Sequence, residues 1–242
     1  MRPFVLLACL FGLTLAPGSA RSEVMSPPPN TATIAIVGDS LADGMWGGLY
    51  KILQKDKQYK LYRGAKNSVG FTGAGLTDMI DRAFAAGEPH AIVMMIGAND
   101  RRSFFADGKS KALLGTPVWV ELYRGRIGGF MDHAGKRNVP LIWILLPIMR
   151  AADATRDAEL VNGIVIEAAK TRPHVILIET AKLTSDEQGA YAAHFNDLTG
   201  QKRLMRSSDG VHLEQPAYEL IGDLVLKRLR EVSPRFKSLS PE

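Results

Sequence analysis

The sequence predicts a three-layer α/β/α domain built on a five-stranded parallel sheet. Three observations carry that expectation. Apolar runs stand at Thr33–Val37, Ala91–Ile96, Leu141–Leu146 and Val175–Ile178, and a weaker one, QYKLY, ends at Tyr62. Segments of helical period lie between them. The strong runs are apolar throughout and do not alternate, as expected of strands covered on both faces by crossover helices. The expected strand order is 2-1-3-4-5, as in flavodoxin-like folds. No internal repeat interrupts the pattern.

The helical segments show their buried faces in the spacing of apolar residues. Trp119, Leu122, Tyr123, Ile127, Phe130, Met131 and Ala134 fall on one stripe. Leu160, Val161, Ile164, Val165 and Ala168 repeat it, as do Ile221, Leu224, Val225 and Leu229 near the end. The 242 residues suit one domain with an excursion, since domains run to about 250 residues. Hydrophobic residues at 46% and charged residues at 23% allow an ordinary globular core.

The ends differ from the middle. Arg2-Pro3 precedes FVLLACLFGLTLA, an apolar stretch of signal-peptide length, and PGSA then offers small residues at Gly18 and Ala20. Residues 1–20 therefore read as a secretory signal, with an uncleaved anchor or lipoprotein processing at Cys9 as alternatives. Residues 21–30 read as a flexible Pro-rich lead-in, 31–232 as the domain, and 233–242 as a flexible tail. Cleavage implies export, to a periplasm, with no stable membrane insertion afterwards. Cys9 is the single cysteine, so the mature chain would hold no disulfide and no thiolate site. The formal net charge of +5 admits an anionic glycan or lipid head group, and a solvated basic surface accounts for it equally well. No Lys/Arg block or aromatic-basic interleaving points to nucleic acid. Nothing in the sequence sets the oligomeric state.

In an open parallel sheet, ligands bind beyond the carboxyl ends of the strands. The residues that follow the strands are therefore the candidates. Gly38-Asp39-Ser40 follows the first run, RGAKNSVGFTGAG the second, Gly97-Ala98-Asn99-Asp100 the third, and Pro147-Ile148-Met149-Arg150 the fourth. A long segment ending in RSSDGVHLEQPAYEL follows the fifth. This is a parts list for acyl transfer through a covalent serine intermediate. Ser40 would be the nucleophile and His212 its base. Asp209, three residues before His212, would orient the imidazole. The Ser40 N–H, a glycine N–H from the region of Gly70 and Gly73, and the Asn99 amide would meet the oxyanion. Asp39, Arg101, Arg150 and Arg206 are candidate substrate-binding residues. Each part has a plainer reading when taken alone: Ser40 as a helix N-cap, Asn99 as a strand terminator, Asp209-Gly210 as a turn. Their joint occurrence after three strands favours the site. His90, His133 and His174 fall at the wrong edge or within a helix, and His194 lacks an acid at the Asp209 spacing.

Competing motifs fail. GFTGAGLTD fits neither dinucleotide nor P-loop spacing. Ala42 breaks the G-x-S-x-G elbow. No His/Glu cluster has zinc spacing, so neither a metal nor another cofactor is called for.

GDSLADG (38–44), a glycine near 70, GAND (97–100) and DGVH (209–212) resemble the four sequence blocks of SGNH, or GDSL, hydrolases. The likeness spans most of the chain after residue 30. It implies the roles given above for Ser40, His212, Asp209, Gly70 and Asn99. The wording of VMMIGANDRRSF, LIWILLPIMR and LMRSSDGVHL is similar to an exported bacterial branch of that family. That similarity implies O-acyl ester chemistry on a cell-envelope or extracellular carbohydrate. The expectation is a serine esterase for short acyl groups, acetyl foremost, on a small-molecule or polysaccharide ester. The alternatives are an O-acyltransferase, a lysophospholipase or thioesterase with an apolar groove over residues 101–118, and a non-catalytic glycan-binding module.

Overall fold

A computed structural model describes residues 31–73, 76–106 and 109–239. The expected signal and lead-in lie outside the described residues. Five strands form one parallel sheet: β1 (Ala32–Gly38), β2 (Tyr59–Ala65), β3 (Ala91–Met95), β6 (Leu141–Ile144) and β7 (Val175–Ile178). Their order, β2-β1-β3-β6-β7, is the expected 2-1-3-4-5 arrangement. β1, β3 and β6 are buried along their whole length, which is why their sequences are apolar at nearly every position, Thr33 excepted. β2 is an edge strand with mixed burial, and its sequence pattern is correspondingly weak.

Helices α1 (Ser40–Leu53), α2 (Thr77–Gly87), α3 (Pro117–Gly135), α4 (Ala152–Ala169) and α5 (Gln215–Val232) cover the sheet. The buried side of α3 is Trp119, Tyr123, Ile127, Phe130, Met131 and Ala134, as the stripe predicts, except that Leu122 is turned to solvent. Burying each large side chain of this kind stabilises the fold by about 1.5–3 kcal/mol. Phe71, Phe130 and Trp143 pack ring against ring with centroids 5.6–5.9 Å apart, joining the loop after β2 to α3 and β6.

Two antiparallel hairpins decorate the sheet: β4 (Phe104–Ala106) with β5 (Lys109–Ala112), and β8 (His194–Asn196) with β9 (Lys202–Leu204). Phe104 is buried against Trp119, with centroids 5.7 Å apart, and lines no groove. The tail also departs from expectation. Pro234–Lys237 form a short helix, α6, and Phe236 and Leu239 are buried. Phe236 lies 6.3 Å from the Tyr59 ring at the start of β2. An apolar anchor therefore ties residues 234–239 to the domain, and the flexible-tail expectation fails there. No helix among the described residues is long and apolar enough to cross a membrane.

Candidate active site

The first motif is shaped by what its neighbours demand. Gly38 ends β1 at φ +137°, and a Cβ there would lie 2.2 Å from the Met95 carbonyl oxygen. Glycine thus lets β1 stay against β3 while the chain turns out. Asp39 is fully buried and caps α1, its Oδ1 accepting from Leu41 N–H at 2.9 Å. The cap is Asp39 and not Ser40. Ser40 begins the helix, half-buried, with its hydroxyl left for another partner.

That partner is His212. Ser40 Oγ lies 2.7 Å from His212 Nε2, across 172 residues of sequence. His212 Nδ1 lies 2.5 Å from Asp209 Oδ2. Asp209 Oδ1 accepts from the Val211 and His212 N–H groups at 2.8 and 2.9 Å. Partial burial pulls the Asp209 carboxyl up. The hydrogen bonds from the His212 ring and from the two N–H groups together outweigh it and hold the carboxyl at about 2. A carboxylate only accepts, so Nδ1 carries the ring proton and the Nε2 lone pair faces the serine hydroxyl. This is the arrangement that makes a serine hydroxyl nucleophilic.

The loop after β2 and the turn after β3 meet beside Ser40. Gly70 is buried, and a Cβ there would fall 2.1 Å from Asp100 Oδ1. Asp100 is fully buried and takes four donors: Phe71 N–H at 2.9 Å, Thr72 N–H and Thr72 Oγ1 at 2.8 Å, and Tyr123 O–H at 2.8 Å. It is the anchor of the loop that carries Gly70. Asn99 Nδ2 donates to Asp39 Oδ2 at 3.2 Å and to Val69 O at 3.1 Å. Among the described residues, neither the Ser40 nor the Gly70 N–H donates to another protein group. The Asn99 amide is shared with two acceptors already in place.

The proposed substrate-binding residues require correction. Asp39 is sealed from solvent and also accepts from Gly97 N–H at 3.2 Å. Burial pushes its carboxyl up to about 6, against the lowering pull of the Leu41 and Gly97 N–H groups. Arg206 is 1% exposed and reaches no substrate. Its guanidinium donates to the carbonyls of Ile148 at 2.6 Å, Gly210 and Val211 at 3.2 Å, and His212 at 3.4 Å. A residue expected to bind substrate therefore holds the loop that carries His212. Arg101 is engaged by Asp157 at 2.7 Å and Asp153 at 2.8 Å. Arg150 is exposed, but it donates to Ser208 O and Tyr191 Oη at 2.7 and 3.1 Å. Arg63 and Arg203 are paired with Asp43 and Asp197. Arg63, Arg101 and Arg203 are thus each paired with carboxylates, while Arg150 and Arg206 are held by carbonyl and hydroxyl oxygens.

The remaining histidines are placed as follows. His90 accepts from Thr33 N–H, His133 lies 2.8 Å from Asp81, and His174 Nε2 lies 2.9 Å from Met131 O. His194 lies on the β8–β9 hairpin, exposed.

A parallel sheet of this order thus carries a hydroxyl, an imidazole and a carboxylate in line at its carboxyl edge. Solved structures share the fold. A lipase/acylhydrolase from Enterococcus faecalis superposes with a TM-score of 0.59 at 15% identity, covering 88% of this chain and 99% of that one. The acetyl xylan esterase AlAXEase gives 0.57 at 15% identity, covering 81% and 98%. A GDSL-like lipase from Bacteroides thetaiotaomicron VPI-5482 gives 0.56 at 14% identity, covering 84% and 89%. The chain belongs to DUF459, a family of proteins of unknown function, whose model matches residues 33–228. No curated protein matches the sequence.

Proposed function

We propose that this protein is a serine esterase that removes short acyl groups, acetyl foremost, from a cell-envelope or extracellular carbohydrate after export to the periplasm. The observation that carries the reading is the line from Asp209 through His212 to Ser40, at 2.5 and 2.7 Å. Ser40 Oγ attacks the ester carbonyl carbon and passes its proton to His212 Nε2. The alcohol leaves with that proton. A water molecule, deprotonated by the same nitrogen, then attacks the acyl-enzyme, releasing the carboxylic acid and restoring the serine hydroxyl. Asp209 holds the imidazole tautomer throughout. The Ser40 and Gly70 N–H groups and the Asn99 amide stabilise the tetrahedral oxyanion, where losing one donor costs about 10²–10³ in rate.

The shared fold supports ester chemistry, and the acetyl xylan esterase among the similar structures gives acetylated sugars a precedent on it. Export rests on the signal-like first twenty residues. The test is hydrolysis of p-nitrophenyl acetate by the purified protein beside its Ser40→Ala variant, followed by acetate release from acetylated glycans. Turnover that is lost in the variant is the expected result. Equal turnover in both would remove Ser40 from the chemistry.

A further inference from the structure

Beside the candidate site lies a pocket of about 30 Å³. It is lined by Gly97, Ala98, Leu146 and Val211, by Met149 from the loop after β6, and by Ala154 and Ala158 of α4, with Arg101 as its one charged residue. Ala98 and Val211 are the chain neighbours of Asn99 and His212. We propose that this pocket receives the alkyl end of the acyl group, and that Arg101, clasped by Asp153 and Asp157, closes it at the size of an acetyl methyl. The inference deepens the esterase reading and rests on it.

The sequence of α4 explains the construction. In DATRDA (153–158), the two acids stand four residues apart and each is followed by an alanine. Residues at i and i+4 share one helix face, so the acids form one stripe and the alanines a neighbouring one. Arg101 binds both acids, Nε to Asp157 at 2.7 Å and Nη2 to Asp153 at 2.8 Å. One guanidinium therefore sets how closely the alanine stripe approaches the turn after β3. Thr155, between the acids, ties Met149 to α4. Its hydroxyl donates to Met149 O at 2.9 Å and accepts from Met149 N–H at 3.0 Å.

The size is decisive. A water-sized occupant needs about 10–15 Å³, and a benzene-sized one about 150 Å³. The volume suits a methyl group and is far smaller than a longer chain fills. Its side chains other than Arg101 carry no charge or hydrogen-bonding group, which suits an alkyl terminus and not a hydroxylated one.

The experiment is kcat/KM for p-nitrophenyl acetate, butyrate, hexanoate and octanoate with the purified protein, Arg101→Ala, and Asp153→Asn/Asp157→Asn. The wild type is expected to lose at least about tenfold between acetate and butyrate, the discrimination that a tight apolar pocket gives per misfit methylene. Arg101→Ala is expected to raise the butyrate-to-acetate ratio by about fivefold or more. The double Asn variant keeps the side-chain shapes and loosens the clasp from the other side, so it tests the same point if Arg101→Ala does not fold. A merely structural role would lower all four esters together and leave the ratio unmoved. A flat wild-type profile from acetate to octanoate, or a ratio unchanged in every folded variant, overturns the assignment while leaving the esterase reading intact. Failure to cleave any ester overturns both.

Discussion

Asp39 Oδ2 accepts from Asn99 Nδ2 at 3.2 Å and from Gly97 N–H at 3.2 Å, so the carboxylate near the start of the first motif holds the third. The two motifs lie about sixty residues apart in sequence and meet because β1 and β3 are neighbours. The contact is made by a buried charge whose carboxyl is pushed up to about 6 by loss of water. This gives it a signature in pH.

A carboxyl at 3.8 in the unfolded chain and about 6 in the fold keeps its proton longer when folded. Its contribution to stability is fully present below the unfolded value and is lost as pH rises through about 6. The difference corresponds to about 3 kcal/mol. Thermal unfolding of the wild type from pH 4 to 7 is expected to show this decline, and Asp39→Asn to flatten it, whatever the variant's baseline. Parallel pH curves for the two proteins would contradict the assignment of the slope to Asp39.

Gly70 and Asp100 are coupled by contact. Gly70→Ala puts a methyl group into the Asp100 carboxylate, and Asp100→Asn turns an amide toward donors that need an acceptor. Each is expected to cost about 1–3 kcal/mol in urea unfolding. A double-mutant cycle of Gly70→Ala with Asp100→Ala should show about 0.5–3 kcal/mol of coupling, because the second change removes the atom the methyl strikes. Strict additivity would mean that the loop finds another path.

Arg206→Lys retains charge and loses the planar fork. A lysine cannot reach the carbonyls of residues 148, 210, 211 and 212 together. The expected loss is about 2–3 kcal/mol, since bonds to charged groups are worth about 1.5–3 kcal/mol each and some will be kept or hydrated. Under the esterase reading, kcat for p-nitrophenyl acetate falls with it while KM stays close to the wild-type value. A selective rise in KM would return Arg206 to substrate binding.

Asp209→Asn removes the acceptor that fixes the imidazole proton on Nδ1. The His212 ring makes no bond to a backbone carbonyl that would stand in for it among the described residues. The wrong tautomer in an otherwise intact triad costs about 10⁴ in kcat. A loss of that order in p-nitrophenyl acetate turnover, with unchanged folding by circular dichroism, is the expected outcome. A loss below tenfold would show that something else orients the ring.

The five sheet strands were legible because burial on both faces leaves apolar residues at every position, as in Ile34-Ala35-Ile36-Val37. β2 was read short, ending at Tyr62, because its last residues through Ala65 are set by pairing with β1 as far as Gly38 and not by apolarity. The β4–β5 and β8–β9 hairpins are too short for a period to show. In the tail, two apolar side chains among polar ones carry the packing, which composition averages away.

The serine, the histidine and its acid could be placed because their chemistry names them. Asp39 and Arg206 could not, since charge predicts a place at the surface. What buries them is mostly backbone: N–H groups of Leu41 and Gly97 for one, a row of carbonyls for the other. Backbone groups have no letter in the sequence. Asp100 stood beside Asn99 in plain view, but its role depends on a loop thirty residues upstream that only the fold brings near.

Val211 is gripped by its carbonyl, on Arg206, while its side chain looks into the small pocket. Nothing in that grip depends on which side chain residue 211 bears. On the proposal that this pocket receives the acyl end, the position is therefore a tuning screw: a substitution at residue 211 reshapes what the pocket accepts, one residue from His212, without loosening the hold on His212. On that reading, selectivity and reactivity are adjacent in the chain yet separately adjustable.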